Sequence, residues 1–540
     1  MNESSQPPAR PSTHILRPSS VLTALLVCLY VAARLWRLTG SCLWFDELFG
    51  VHAARHTWGG LWRFVAADLI HPPLFYALLK LWAAAGGESL LWLRLFPFAA
   101  SAAALVPLLL LARELKLGAA ETNVALLVAA SNGYLIKYAQ EVRMYGLLLL
   151  LTLTSLWLFA RLLNREGREG GLLAALFFVN LALVYTHYYG WLVVACEAAF
   201  LALRARRRLG AYMLTAAGLA LAYAPWVLAC VSAAGAGGGL AQNIGWIGRP
   251  GPNDLVELFA LFNQPFHFRQ SSADPLYGRG GALLGLLLVG LPVAVLLFRV
   301  ARRGRASGVD EGRADERPEV LAREEGAAAF LSLFTALPVA LAFVASYALP
   351  QSVWGTRHLI VAAGPYALLA GMALGRLRPA WWKAAALLLL CCWLALVGAL
   401  RVVRREPAYV WCAWEGLAAS AARDEAGGAD VYAFEDLVAY HLWFALEREG
   451  RFRVVSIEGA PGVAEDPAYF LPRDFRGVAV AGTDALRGER FWAAFRDAAW
   501  DESRPPLKLI LERGYRAARV YEASAQGQRA FLVLFVRAGS

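Results

Sequence analysis

Three short runs in this chain hold the side chains best suited to acid–base and anion chemistry. Trp44-Phe45-Asp46-Glu47 places two adjacent carboxylates just after the first long apolar segment. Asp68-Leu69-Ile70-His71-Pro72-Pro73-Leu74-Phe75-Tyr76 follows, and then Tyr138-Ala139-Gln140-Glu141-Val142-Arg143-Met144-Tyr145. An ionisable residue beside lipid is costly to keep and is a functional-site candidate by default. A carboxylate held beside an acceptor hydroxyl can act as a general base, and Asp46, in a loop just outside the first helix, is placed for that role. Guanidinium groups grip phosphate through paired N–H donors. Arg143 and Arg357, the latter followed by His358, are the candidates for that role.

Each of these residues also has a plainer reading. Asp46 can cap an interfacial helix running from Leu48 to His56. His71 can be a solvated turn residue ahead of two prolines that break the chain, with Asp68 orienting its ring. Tyr138 and Tyr145 fit an interfacial aromatic belt, and Arg357 fits a snorkelling cation. A Glu and an Arg two residues apart do not meet on a helix, so Glu141 and Arg143 are expected to find different partners. Glu197 falls in mid-segment and needs a partner that the sequence does not reveal. The polar turn Thr186-His187-Tyr188-Tyr189-Gly190 carries no signal by itself. A metal site needs more ligands than these runs supply locally.

The elements that must position these residues are membrane helices. The 540 residues are 59% hydrophobic and 17% charged, whereas soluble domains are about 25% charged. Eleven spanning segments are expected, near 19–38, 89–112, 122–137, 141–163, 172–188, 190–204, 211–231, 280–300, 327–349, 358–375 and 381–402. One set of loops holds nineteen Lys and Arg, including seven arginines between Arg299 and Arg323, and the short loops opposite hold Lys137, Arg143 and Arg357. The positive-inside rule places the first set in the cytoplasm, the N-terminal segment 1–18 inside and the chain end outside. Arg34 and Arg37 fit that rule poorly. The first apolar segment is too long for a signal-peptide core and reads as an uncleaved helix. Outer loops near 39–88 and 232–279 flank the crossings, and Leu74 to Trp82 reads as an interfacial helix.

The transmembrane domain then spans 19–403. From 404 to 540 the pattern becomes that of a small extracytoplasmic α/β domain, with strands at Val431–Phe434, Arg451–Val455, Val478–Val480 and Phe531–Phe535 and a helix from Phe491 to Trp500. The seven cysteines show no metal spacing, and Cys42 and Cys412 are the two placed to face an oxidising side. The net charge of +11 comes from the short loops and reads as topology rather than nucleic-acid binding. No P-loop, dinucleotide fingerprint, zinc spacing or Asp-x-Asp nucleotide-sugar motif is present.

Taken in order, Trp44–Glu47, Asp68–Tyr76, Arg94-Leu95-Phe96-Pro97, Tyr138–Tyr145 and Arg357-His358-Leu359 resemble the GT-C class of membrane glycosyltransferases. The nearest likeness is to the bacterial family related to protein O-mannosyltransferases and lipid A aminoarabinose transferases. It is strong over about 20–205 and weaker to about 375. The resemblance implies a hexosyl- or mannosyltransferase-like enzyme of the cytoplasmic membrane. Its donor would be a polyprenyl-phosphate sugar, its acceptor a lipid, glycan or protein on the outer face, and transfer would invert the anomeric carbon. Asp46 matches the family's base, Glu141 its second acidic position, and Arg357 a basic position near the donor phosphate, helped by Arg143 or Arg34. Glu47, His71, Tyr138, Arg143, Tyr145, Arg357 and His358 are the expected substrate-binding residues. No metal ligand is assigned, because this chemistry does not oblige one. His71 stands where the aminoarabinose transferases have Lys, which weakens transfer of their substrate to this chain. A flippase would instead need ionisable groups in mid-membrane and broken helical repeats, and a scaffold would tolerate loss of Asp46.

Overall fold

The structure, a computed structural model, describes residues 18–165, 169–235, 244–245, 247–266, 279–306, 324–403, 412–458, 478–496, 499–525 and 528–539. Most of the N-terminal segment, much of the 232–279 loop, the end of the arginine cluster and the boundary near 404 lie outside the described residues.

All eleven apolar segments are helical. After α1 (Pro18–Leu35) come three short helices, α2 (Phe45–Arg55), α3 (Trp58–Asp68) and α4 (Leu74–Gly86). These have 11, 11 and 13 residues, and at 1.5 Å per residue they fall well short of a hydrocarbon core about 30 Å thick. The chain continues through α5 (Leu90–Ala103), α6 (Leu105–Glu114), α7 (Ala119–Ser131), α8 (Gly133–Gln140), α9 (Tyr145–Asn164), α10 (Gly170–Thr186), α11 (Gly190–Arg204) and α12 (Arg206–Gly235). Further helices cover Leu283–Arg302, Glu324–Ala348, Thr356–Gly375 and Ala380–Val403. Among the described residues, seven helices, counting α5 and α6 as one, are long and apolar enough to cross a membrane. The protein is a polytopic membrane protein.

Two boundaries differ from the sequence reading. The segment at 122–137 is broken at Asn132, whose side chain accepts the Leu135 N–H at 2.7 Å and donates to the Phe262 carbonyl at 2.7 Å. The next helix starts at Tyr145 rather than 141, because a tight turn, Arg143 N–H to Glu141 carbonyl at 2.7 Å, separates them. An Asn side chain that satisfies backbone groups on both sides favours such a break over a continued helix.

The partner missing for Glu197 comes from three other helices. Ser155 meets one carboxyl oxygen at 2.6 Å, and Asn180 and Tyr212 meet the other at 2.8 and 2.6 Å. Arg34 is fully buried. Its guanidinium bonds Ser101 Oγ and the carbonyls of Tyr30 and Ala129 and lies over the Tyr30 ring. That explains its poor fit to the charge rule, and it corrects the expectation that Arg34 assists a phosphate.

The tail forms a six-stranded sheet in the order β3-β2-β1-β4-β6-β5. Here β1 is Ala429–Ala433, β2 Phe452–Glu458, β3 Ala479–Gly482, β4 Arg490–Arg496, β5 Tyr515–Ala525 and β6 Gln528–Arg537. β1 to β4 are parallel where paired, and β6 runs antiparallel to β4 and β5. The four expected strands are present. The helix expected at Phe491–Trp500 is instead the central strand β4, buried on both faces from Phe491 to Phe495. An apolar run without alternation is the mark of a strand covered on both sides, and it mimics a buried helix.

This domain packs directly on α2. Cys42 and Cys412 form a disulfide. Phe45 meets Tyr440 edge-on at 5.9 Å, and His52 meets Trp443 at 5.2 Å. Arg55 bridges Glu88 at 2.7 Å and Glu447 at 2.5 Å.

Candidate active site

Every run singled out in the sequence arrives at one place. α2 begins immediately after Trp44, and its first turn carries Asp46 and Glu47. The cap bond is made by Glu47, not by Asp46. Glu47 Oε2 accepts the Trp44 N–H at 3.0 Å, and Oε1 accepts the Val142 N–H at 2.6 Å. Arg94 stands 3.6 Å away. Glu47 therefore ties the start of α2 to the Glu141–Arg143 turn. Burial, opposed by Arg94, pushes its carboxyl up to about 7. Arg94 also holds the preceding loop through the carbonyls of Leu38 and Cys42, at 2.7 and 2.8 Å.

With the cap bond taken by Glu47, the Asp46 side chain is directed elsewhere. Its Oδ2 pairs with Arg357 at 2.9 Å and lies 4.0 Å from Arg143. Arg143 also donates to the Asp46 carbonyl at 2.9 Å and points its other Nη at His71 Nδ1, 3.4 Å away. Asp46 is nearly buried, at 8% exposed. Two guanidiniums flank this buried carboxylate, and each offsets part of the cost of taking it out of water. Glu141 faces Lys137 at 3.9 Å. As expected, Glu141 and Arg143 have different partners. Tyr138 and Tyr145 stack edge-on at 4.7 Å and are both buried. The Tyr145 hydroxyl has no hydrogen-bond partner among the described residues.

Arg357 and His358 sit in a short 3₁₀ turn, Thr356–Leu359. The Tyr134 hydroxyl donates to the carbonyls of Thr356 and Arg357 at 2.8 and 3.2 Å, and Arg357 lies 5.8 Å over the Trp44 ring. Gly355 is required here, since a Cβ would stand 2.5 Å from the His358 ring.

The turn that delivers His71 is strained. Leu69 caps α3 with φ of 62°, a conformation that costs a branched residue about 1–3 kcal/mol. The Tyr188 hydroxyl holds its carbonyl at 3.1 Å. Asp68 accepts the Ile70 N–H, and burial pushes its carboxyl up to about 7. The observed neighbour of His71 Nδ1 is Arg143 rather than Asp68. Sequence reasoning passed over His187. The structure places it at the break between α10 and α11, beside His71 and His358. Nothing in its local sequence marks it, because the three histidines come from distant stretches of chain. Among the described residues they are the group able to gather around a metal ion.

No family model and no curated protein matches the sequence. The architecture does match. The structure of ArnT from Cupriavidus metallidurans in the apo state superposes with a TM-score of 0.54 at 13% identity, over 95% of this chain and 97% of that one. The chain has a GT-C fold. The Archaeoglobus fulgidus oligosaccharyltransferase in the apo form aligns at TM-score 0.48 and 13% identity, over 82% of this chain and 65% of that one. In this GT-C fold the carboxylates and guanidiniums gather where the short helices α2 to α4 meet the turn at 141–143 and the turn at 356–359.

Proposed function

We propose that the protein is a glycosyltransferase that moves a hexose from a polyprenyl-phosphate donor to a hydroxyl of a lipid, glycan or protein acceptor. The observation that carries this reading is the Asp46 carboxylate held at 2.9 Å by Arg357 with Arg143 behind it. A base and two phosphate-binding cations are then present within one side chain's reach.

Transfer breaks the bond from the anomeric carbon to the phosphate oxygen and forms one from that carbon to the acceptor oxygen. Asp46 takes the acceptor proton as its oxygen attacks. Arg357 turns from Asp46 to the departing phosphate, which frees the carboxylate and offsets the developing charge. Attack opposite the leaving group inverts the anomeric centre, and one base suffices. Glu141 sits where it can share the acceptor, and Tyr138 and Tyr145 pack on each other beside it. Glu47 is a positioning residue that fixes α2 against the 141–143 turn. These steps oblige no metal ion.

The site belongs on the outer face of the cytoplasmic membrane in this reading. Loop charges support that side, and so does the Cys42–Cys412 disulfide, since such bonds persist in oxidising compartments. It also requires the tail to lie on the same side as the first outer loop. A transporter is less well supported, because Glu197 is fully engaged by its neighbours.

The test is transfer by the purified protein from a synthetic polyprenyl-phosphate hexose to a membrane-extract acceptor, with the product anomer read by NMR. Transfer with inversion supports the proposal. Retention of configuration, or no transfer from any hexose donor, overturns it. A single cysteine at Gly427 should label from outside in intact cells, and labelling only after lysis would contradict the topology.

A further inference from the structure

One ring nitrogen from each of His71, His187 and His358 lies within 4.8 Å of the other two. The ring centroids are 5.2 Å apart for His71–His187, 6.0 Å for His71–His358 and 4.5 Å for His187–His358. The Nε2 of each is buried with no hydrogen-bond partner among the described residues. Three imidazoles this close form a zinc-like donor set. The tautomers decide against that reading.

His187 Nδ1 accepts the Tyr189 N–H at 3.0 Å. His71 Nδ1 faces Arg143 Nη2 at 3.4 Å, and a guanidinium has only donors. A neutral imidazole that accepts at Nδ1 carries its hydrogen at Nε2. Two of the three rings therefore carry their hydrogen on a buried Nε2 and offer an N–H there, not a lone pair. Metal-binding histidines are arranged the other way, with the distal nitrogen donating to a carbonyl or carboxylate. The surroundings are cationic as well, since Arg143 adjoins His71 and Arg357 adjoins His358 in sequence. Burial, reinforced by Arg143, holds His71 well below the usual histidine range, so this ring is neutral.

We propose that His71 and His187, with His358 as the third wall, form a pocket for a phosphate oxygen of the lipid donor. The two Nε2–H groups donate to it beside the guanidiniums of Arg143 and Arg357. This rests on the transferase reading above. Neutral donors suit the position. They add directed hydrogen bonds to the oxyanion without a third cation to pair with Asp46 and blunt it as a base.

The test uses the purified full-length protein and three probes: a polyprenyl monophosphate, the matching polyprenol and inorganic phosphate. His187→Gln keeps an amide N–H near the Nε2 position, while His187→Glu replaces the donor with an acceptor. Wild type should prefer the monophosphate over the polyprenol. His187→Glu should weaken monophosphate binding by about 10- to 100-fold, the worth of a hydrogen bond to a charged group, and His187→Gln by clearly less. Chelation should change neither value. Melting temperatures identify any variant that does not fold, and His71→Gln and His71→Glu then replace the pair. Monophosphate binding unchanged in His187→Glu overturns the pocket and leaves the transferase reading standing. A wild type blind to the phosphate removes both. Inorganic phosphate that competes as well as the lipid would make the ligand free phosphate and overturn the donor assignment. Stoichiometric zinc surviving dialysis against a chelator, and retained by His187→Glu, would make the cluster a metal site.

Discussion

Among the described residues, two of the buried polar clusters differ in how completely their hydrogen bonds are satisfied. Around Glu197, both carboxyl oxygens are met by Ser155, Asn180 and Tyr212, which arrive from α9, α10 and α12. Around Asp46, the histidine Nε2 atoms and the Tyr145 hydroxyl are buried and unpartnered among the described residues, and an Asp–Arg pair stands among them. Most buried polar atoms in folded proteins are paired, because an unpaired one costs about 1–3 kcal/mol. The first cluster is glue between helices. The second retains a cost that its own contacts do not remove, which is expected of a site that a ligand completes.

That contrast is open to attack from both ends. Short of Asp46 itself, the largest effect is expected at Arg357. Arg357→Ala should lower transfer by about 10²–10³-fold, the usual worth of one preorganised group at a developing charge, and Arg357→Lys should recover only part of it. Activity equal to wild type would leave Arg357 a structural partner of Asp46 with no part in transfer. Gly355→Ala should reduce transfer by about tenfold, roughly 1.4 kcal/mol of transition-state stabilisation, because a Cβ 2.5 Å from the His358 ring must displace it. Its melting temperature should change little. Glu197→Gln should do the reverse. It should hold transfer within about twofold while costing about 1–3 kcal/mol of stability, read from thermal or denaturant unfolding in detergent. Large loss of transfer in a stable Glu197→Gln would erase the distinction between the clusters. The smallest effect concerns Asp68. Its carboxyl is raised from 3.8 to about 7 by burial, so the folded state holds that proton to higher pH than the unfolded chain. Stability should therefore fall as pH rises from about 4 to 7. Asp68→Asn should flatten that fall, and an unchanged slope would show that Asp68 does not cause it.

The sequence exposed the site's charged half and concealed its neutral half, for a physical reason. Asp46, Glu141, Arg143 and Arg357 stand out because charges are scarce in an apolar chain. His187 does not, since a histidine in a polar turn is ordinary until the fold brings two others to it. The apolar segments were legible as helices from their hydropathy, seven of them among the described residues long enough to cross a membrane, though not the break at Asn132, which depends on the distant Phe262 carbonyl. In the tail, β1 and β6 announced themselves as short β-rich runs. β4 did not, because a strand flanked by β1 and β6 and covered on both faces loses its alternation. β5, at the sheet edge, was missed, for its polar and small residues carry little strand signal. Glu47 looked like a second substrate carboxylate. Its bond to Val142, from a stretch far along the chain, is what makes it a clamp.

The most direct measurement is made on Asp46→Asn, with donor binding and transfer followed in the same preparation. Asn keeps the size of the side chain and removes its basicity, and Glu47 already supplies the cap of α2. The variant should fold, bind a synthetic polyprenyl-phosphate hexose within a few-fold of wild type, and lose transfer by about 10²–10⁴-fold, the usual worth of a positioned general base. Full transfer by Asp46→Asn would contradict the base assignment, and loss of donor binding together with transfer would move Asp46 from chemistry to binding.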